Sequence, residues 1–208
     1  MYIKELFTEG LSKVIYHYVH LEDAIEILKT GKFDLDIALG NSDEEKFAPK
    51  GHQYFLSTTR TRLGSFHATP RHGGVIFELD GSYYANKYKA KPVDFFALDT
   101  NKRNTEAEDR IFSKTPTLSI DGVKNLHMFI DLTSKHPASE NEMIKNVIGY
   151  SLKLGLPIKF YIDVQSWRLL KPTNMNYNDI LNHLNSNQVH ASDAVSYTHL
   201  TLPTKRIV

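Results

Sequence analysis

What most limits the fold of this chain is a series of short β-forming segments separated by turns. Lys13–Val19 (KVIYHYV), Gln53–Thr59 (QYFLSTT), Gly74–Leu79 (GVIFEL), Lys91–Leu98 (KPVDFFAL), Val123–Leu132 (VKNLHMFIDL) and Ile158–Val164 (IKFYIDV) are rich in β-branched and aromatic residues. Helical spacing is clear in two places. Leu21, Ala24, Ile25 and Leu28 form one apolar stripe, with Glu22 and Asp23 in the first turn and Gly31 beyond the last. Met143, Ile144, Val147, Ile148 and Leu152 form another; Ser139 and Glu142 read as its capping box, and Gly155 and Pro157 stop it. Shorter helices are expected within 82–89 and 177–185, and Asp34–Gly51 reads as a polar loop or broken helical excursion. Strand mostly follows strand, with helices after the first strand and toward the end. That order predicts an α+β domain and not a doubly wound parallel sheet.

Composition then narrows the class. With 208 residues, 41% hydrophobic and 24% charged, the chain has enough apolar material for one domain, expected over 1–194. The remainder, Val195–Val208 (VSYTHLTLPTKRIV), continues no earlier pattern and resembles the translation of a sequencing-library adapter, so it is read as non-native. A net charge of +1, from 25 basic and 24 acidic residues, gives no general grip on nucleic acid or anionic membrane, so any anion site must be local. Cysteine is absent, which removes disulfides, thiolate metal ligands and a thiol nucleophile. No long apolar run or secretory leader is evident, so a soluble cytoplasmic protein is expected.

Two stretches carry chemistry. In Ala97–Ser113 (ALDTNKRNTEAEDRIFS) a polar loop leads into a strand, and Glu106 and Glu108, two apart, face the same way if the backbone is extended. The same acids, with Asp109 and Arg110, also fit a solvated strand edge with local ion pairs. Arg60, Arg62, His67, Arg71 and His72 fall in one glycine-containing loop, which is either a local anion site or a flexible solvated segment. Ten histidines are present, but none makes a close-spaced metal pattern with nearby acids, so no metal site is expected. Trp167 reads as a packing anchor.

Taken in order, His17 with Tyr18, the Ser57-Thr58-Thr59 run and Glu106-x-Glu108 resemble the three-part signature of the ADP-ribosyltransferase family, over about Val14 to Leu118. The YHY, FLSTTR and EDR segments are also similar to small proteins of tailed phages, which would place the chain in a bacterial host's cytoplasm. The resemblance implies a split mixed β-sheet with a few flanking helices, and NAD as a substrate. It implies that Glu108 is catalytic with Glu106 as its partner, that His17 and Tyr18 lie at the ribose, and that Ser57 and Thr58 shape the nicotinamide pocket. Asp99–Thr105 corresponds to a target-recognition loop for an unknown macromolecular acceptor, protein or nucleic acid. Arg60 and Arg62, with His67, stand where a diphosphate can be reached, and Tyr54, Phe55 and Phe66 are possible stacking partners for the nicotinamide ring.

The chemistry asks little of the protein. Nicotinamide leaves from an already cationic ring, so a carboxylate that stabilises the oxocarbenium-like ribose is enough. Glu108 suits that role, and Glu106 could orient the nucleophile. Two further readings stand beside it. An RNA 2′-phosphotransferase-like enzyme would rely on His17, Arg60, His67 and Arg71, and a non-catalytic phage or host-interaction module would use the Arg60–Arg71 loop to hold a protein or nucleic acid.

Overall fold

Most of the expected strands form, and they join in one sheet. The computed structural model describes residues 11–38, 48–62, 70–93 and 107–189. Strand β1 (Val14–Val19) leads into helix α1 (Leu21–Thr30), which ends on Gly31 at φ 70°, a left-handed conformation that glycine adopts without Cβ strain. The chain continues through β2 (Lys32–Asp34), β3 (Asp36–Ile37), β4 (Tyr54–Thr59), β5 (Gly74–Asp80), α2 (Gly81–Lys87), β6 (Lys89–Pro92), β7 (Glu108–Ser113) and β8 (Thr117–Ser119). A 3-10 turn (Ile120–Gly122) precedes β9 (Val123–Phe129). Then come β10 (His136–Pro137), α3 (Ala138–Leu154), β11 (Ile158–Tyr161), α4 (Val164–Arg168), α5 (Tyr177–Ser186) and β12 (Gln188–Val189).

The main sheet runs β11-β9-β5-β1-β4-β7-β6, with β3 added beside β4. Strand β11 is parallel to β9 and the other pairs are antiparallel, so the sheet is mixed, and five helices flank it among the described residues. The expected α+β architecture is what the chain adopts. Its organising feature is a seam. Strand β1 pairs with β5 from Val14↔Asp80 to Val19↔Val75, whereas its register with β4 is a single pair, Tyr16↔Thr59, among the described residues. The pairing is thinnest there, although the sheet stays continuous.

Alternation along the strands gives the sheet two unlike faces. Ile15, Leu56, Phe77, Leu79, Ile111, Leu126 and Met128 point to one face and pack with Leu28 of α1, Ile144, Val147 and Ile148 of α3 and Leu184 of α5. The register pairs Tyr16↔Thr59 and Thr59↔Glu108 put Tyr16, Ser57, Glu108 and Arg110 on the other face. That face is polar and aromatic. Trp167, almost fully buried, packs there edge-on against Phe129 and Tyr161, as an anchor should.

Several local expectations are corrected. Helix α3 starts at Ala138 from Pro137 (φ −56°, ψ 139°) with no side-chain cap, so the Ser139/Glu142 box does not form. Pairing of His136–Pro137 with β12 and proline's fixed φ bring the chain into the helix before Ser139 can act as a cap. A capping box does form at α5, between Asn176 and Asp179. The strand expected over 158–164 stops at Tyr161, because Asp163 accepts from the Ser166 amide and starts α4. The strand expected over 91–98 is displaced to 89–92, and residues 94–98 lie outside the described residues. Part of the expected 34–51 loop is β3, paired with β4, and the end of β2, paired with β8.

Candidate active site at the sheet seam

Strand β7 enters the sheet through a strained residue. Ala107 sits at φ 48°, its carbonyl accepts the Arg60 amide at 2.8 Å, and Glu108 is the first residue of the strand. The Glu108 carbonyl accepts the Val93 amide at 3.0 Å and Arg60 Nη1 at 3.3 Å, so the backbone carrying this acid is held from both flanking strands. Glu106 itself lies outside the described residues, as do His67, Phe66, the Asp99–Thr105 loop and Val195–Val208.

Glu108 is only 7% exposed, and its carboxylate is held by two named donors. Ser57 Oγ donates to Oε1 at 2.8 Å, and Arg110 Nε donates to the same oxygen at 2.7 Å, with Nη2 reaching Oε2 at 3.5 Å. Hydrogen bonds of this kind fix the orientation of a buried carboxyl group. His17 joins from the seam. Its Nδ1–H donates to the Ser57 carbonyl at 2.8 Å, which leaves Nε2 as an acceptor, and its ring meets Phe33 edge-on on the helix-covered side. Burial pushes the His17 pKa below its ordinary value and outweighs the Ser57 hydrogen bond and the charges of Asp36 and Asp23, so the ring is neutral at neutral pH. Glu108 and Ser57 are thus in direct contact, and His17 is connected to them through the Ser57 peptide.

The other expected site residues divide. Tyr18 lies on the Glu108 face of β1, with the Arg71 guanidinium 5.2 Å over its ring, and burial raises its pKa. It lines a cavity of about 360 Å³ with His20, Arg71 and Glu140. Thr58 points the opposite way and donates to the Asp109 carbonyl at 2.7 Å, stapling β4 to β7. Arg60 Nη1 donates to Asp109 Oδ1 at 2.5 Å, and Asp109 is fully buried. Arg62 is buried between the Tyr161 and Trp167 rings, donating to Tyr161 Oη, to His127 Nδ1 at 3.2 Å and to the Trp167 carbonyl at 3.0 Å. Phe55 is also buried, with the Arg110 guanidinium 4.2 Å over its ring. Of the phosphotransferase set, Arg60 is bound to Asp109 and Arg71 to His20 at 2.6 Å, and His67 lies outside the described residues.

Two polar clusters were not legible in the sequence. Glu78 accepts from His127 Nε2 at 2.6 Å and from Asn125 at 2.7 Å, with Lys159 at 3.4 Å; these bonds, His127 first, hold its pKa at about 2. Burial lowers the pKa of His127, so a neutral imidazole makes that bond. Elsewhere His72, His136 and Glu140 converge closely enough to suggest metal ligands. The donor chemistry does not fit. His72 Nδ1 accepts the Asp131 amide at 3.1 Å and its Nε2–H donates to Asn141 Oδ1 at 3.2 Å, so neither nitrogen offers a lone pair to a metal. Arg110 was legible in principle, because it is two residues from Glu108 in the same strand, yet its ion pair reads equally well as surface chemistry.

Among the described residues no helix is long and apolar enough to cross a membrane. No family model matches the chain, and no curated protein matches it in sequence. Among solved structures it is similar to Thermus sp. 2.9 DarT in complex with carba-NAD+, at 8% identity and a TM-score of 0.44, covering 74% of this chain and 97% of that one. At that distance the match says nothing about chemistry here.

Proposed function

We propose that the protein binds NAD, cleaves its nicotinamide–ribose bond and transfers ADP-ribose to an acceptor. The observation that carries this reading is the buried Glu108 carboxylate, fixed at the sheet seam by Ser57, whose peptide is in turn held by His17. When the bond breaks, nicotinamide leaves as the neutral base with the C–N electron pair, and positive charge develops on the ribose. A fixed carboxylate stabilises that charge and accepts a hydrogen bond from the ribose 2′-hydroxyl without reorganising. The acceptor's oxygen or nitrogen then bonds to the ribose C1′ and gives up its proton. The neutral His17, whose ring lies on the helix-covered side, serves by holding the Ser57 peptide through Nδ1–H.

The test is nicotinamide release from NAD by the purified protein, with Glu108→Gln alongside. Release by the parent and a fall of at least about 100-fold in the variant is the expected result. Equal release by both, or none by the parent, refutes the reading.

A further inference from the structure

We infer that a basic cavity at the far end of β7 from Glu108 is a second ligand site, one that takes a small phosphate-bearing molecule. The cavity, of about 420 Å³, lies where the end of α2, the edge strand β6 and the turn after β7 meet, with His52 in its wall. Pockets for small ligands run from about 300 to 1,000 Å³. Lys87, Lys89 and Lys114 line it with Tyr88 and Phe112, and no acidic side chain does. Glu108 begins β7 and Ser113 ends it, so Phe112 and Ser113 in the cavity stand about 13–17 Å along the strand from the candidate catalytic acid. The inference does not rest on the reading of Glu108.

Two of the three ammonium groups are uncommitted. Lys87 Nζ donates to Tyr83 Oη at 2.9 Å and lies 4.0 Å from Asp121. Lys89 and Lys114 are exposed, and among the described residues neither has a carboxylate partner. They come from different elements and meet because β6 pairs with β7: the register sets Lys89 opposite Phe112, and Lys114 follows the last residue of β7. Lysine on an edge strand also guards it against pairing with another chain. That duty needs neither a cavity nor a further lysine from the next turn. Cations gathered around one concavity, with no acid in its wall, are matched by a ligand that packs two or more negative charges into a small volume, as a phosphate ester or a diphosphate does. Half-buried Tyr88 gives the organic part of such a ligand an aromatic wall. A net charge of +1 supplies no extended field for a polyanionic polymer, so the concave site favours a small ligand.

The experiment titrates inorganic pyrophosphate, orthophosphate, ADP and a short single-stranded oligonucleotide into the parent and Lys89→Gln/Lys114→Gln, by calorimetry at low salt. Both positions are exposed, so the double variant is expected to keep the parent's melting temperature. Pyrophosphate should bind the parent and lose at least about tenfold in affinity in the double variant, with about threefold lost in each single variant. ADP that binds more tightly than orthophosphate, with the same dependence on the two lysines, identifies a nucleotide as the source of the phosphate; equal affinities identify free phosphate. No binding of pyrophosphate by the parent overturns the inference. Equal binding by parent and double variant also overturns it, by placing the anion elsewhere on the molecule. Oligonucleotide binding that needs both lysines, without pyrophosphate binding, overturns it in favour of a polymer surface.

Discussion

Arg60 offers the sharpest test of what the fold does with its cations. From sequence it stands where a diphosphate could be gripped; in the structure its Nη1 lies 2.5 Å from Asp109, which is fully buried, and 3.3 Å from the Glu108 carbonyl. Replacing Arg60 by Met deprives a buried carboxylate of this partner. Removing one partner of a fully buried pair costs about 3–5 kcal/mol. The Arg60 side chain is 27% exposed, so water reaches its end of the pair and about 2–3 kcal/mol is the better figure. For a chain of this size that lowers the melting temperature by about 5–10 °C. The double variant Arg60→Met/Asp109→Asn removes both charges and should lose at least about 1 kcal/mol less than the two single losses added together. Thermal and urea unfolding of the four proteins, with an NAD titration of each, measures this. A normal melting temperature in Arg60→Met, combined with NAD binding weakened tenfold or more, would refute the tether and restore Arg60 as a diphosphate ligand.

Two further outcomes follow from strain and from charge. Ala107→Gly relieves the left-handed conformation before Glu108, a gain that the added freedom of the unfolded chain partly offsets, so stability should rise by about 0.5–1 kcal/mol; a fall in melting temperature contradicts it. Acid should destabilise the protein in two windows. Burial first, then the neighbouring His136, holds the His72 pKa down at about 4, so the unfolded chain takes up this proton first; its contribution is complete above pH 6.5 and is lost as pH falls from 6.5 to 4. His17 and His127, also lowered by burial, steepen that window. Glu78, held at about 2, adds stability that is complete above pH 4.5 and lost between 4.5 and 2. Each site contributes at most about 1.4 kcal/mol per pH unit, less where water reaches the half-buried His72 ring. Melting temperature against pH should flatten between 6.5 and 4 in His72→Asn and between 4.5 and 2 in Glu78→Gln, and unchanged slopes would count against both assignments.

The fold was legible where side chains repeat with a fixed period. The apolar stripe of α1 and the runs of β1, β4, β5 and β9 lie where periodicity puts them, because local pattern and tertiary packing agree there. Boundaries failed where a contact distant in sequence decided them. Pairing of Pro137 with Val189 starts α3 early, and pairing of Phe33 with Leu118 makes a strand of a three-residue segment that has no pattern of its own.

The site follows the same division. Ser57 and Glu108 were readable because each sits on a strand whose alternation fixes its face, and the register between β4 and β7 then brings them within hydrogen-bonding distance. Arg60 and Arg62 were not, since an arginine's reach is long enough to serve either a ligand or the interior, and the choice rests on acids and rings far away in sequence. Asp109 takes one and Tyr161 and Trp167 take the other. One consequence concerns the strand itself. Glu108, Asp109 and Arg110 alternate across the sheet, so the acid on the candidate catalytic face and the acid that tethers Arg60 are neighbours in sequence with opposite duties. Moving the register of β7 by one residue would exchange them, placing Asp109 beside Ser57 and leaving Glu108 under the helices. The left-handed turn at Ala107, bonded to the Arg60 amide, and the Val93 bond to Glu108 are the features that hold the register where it is.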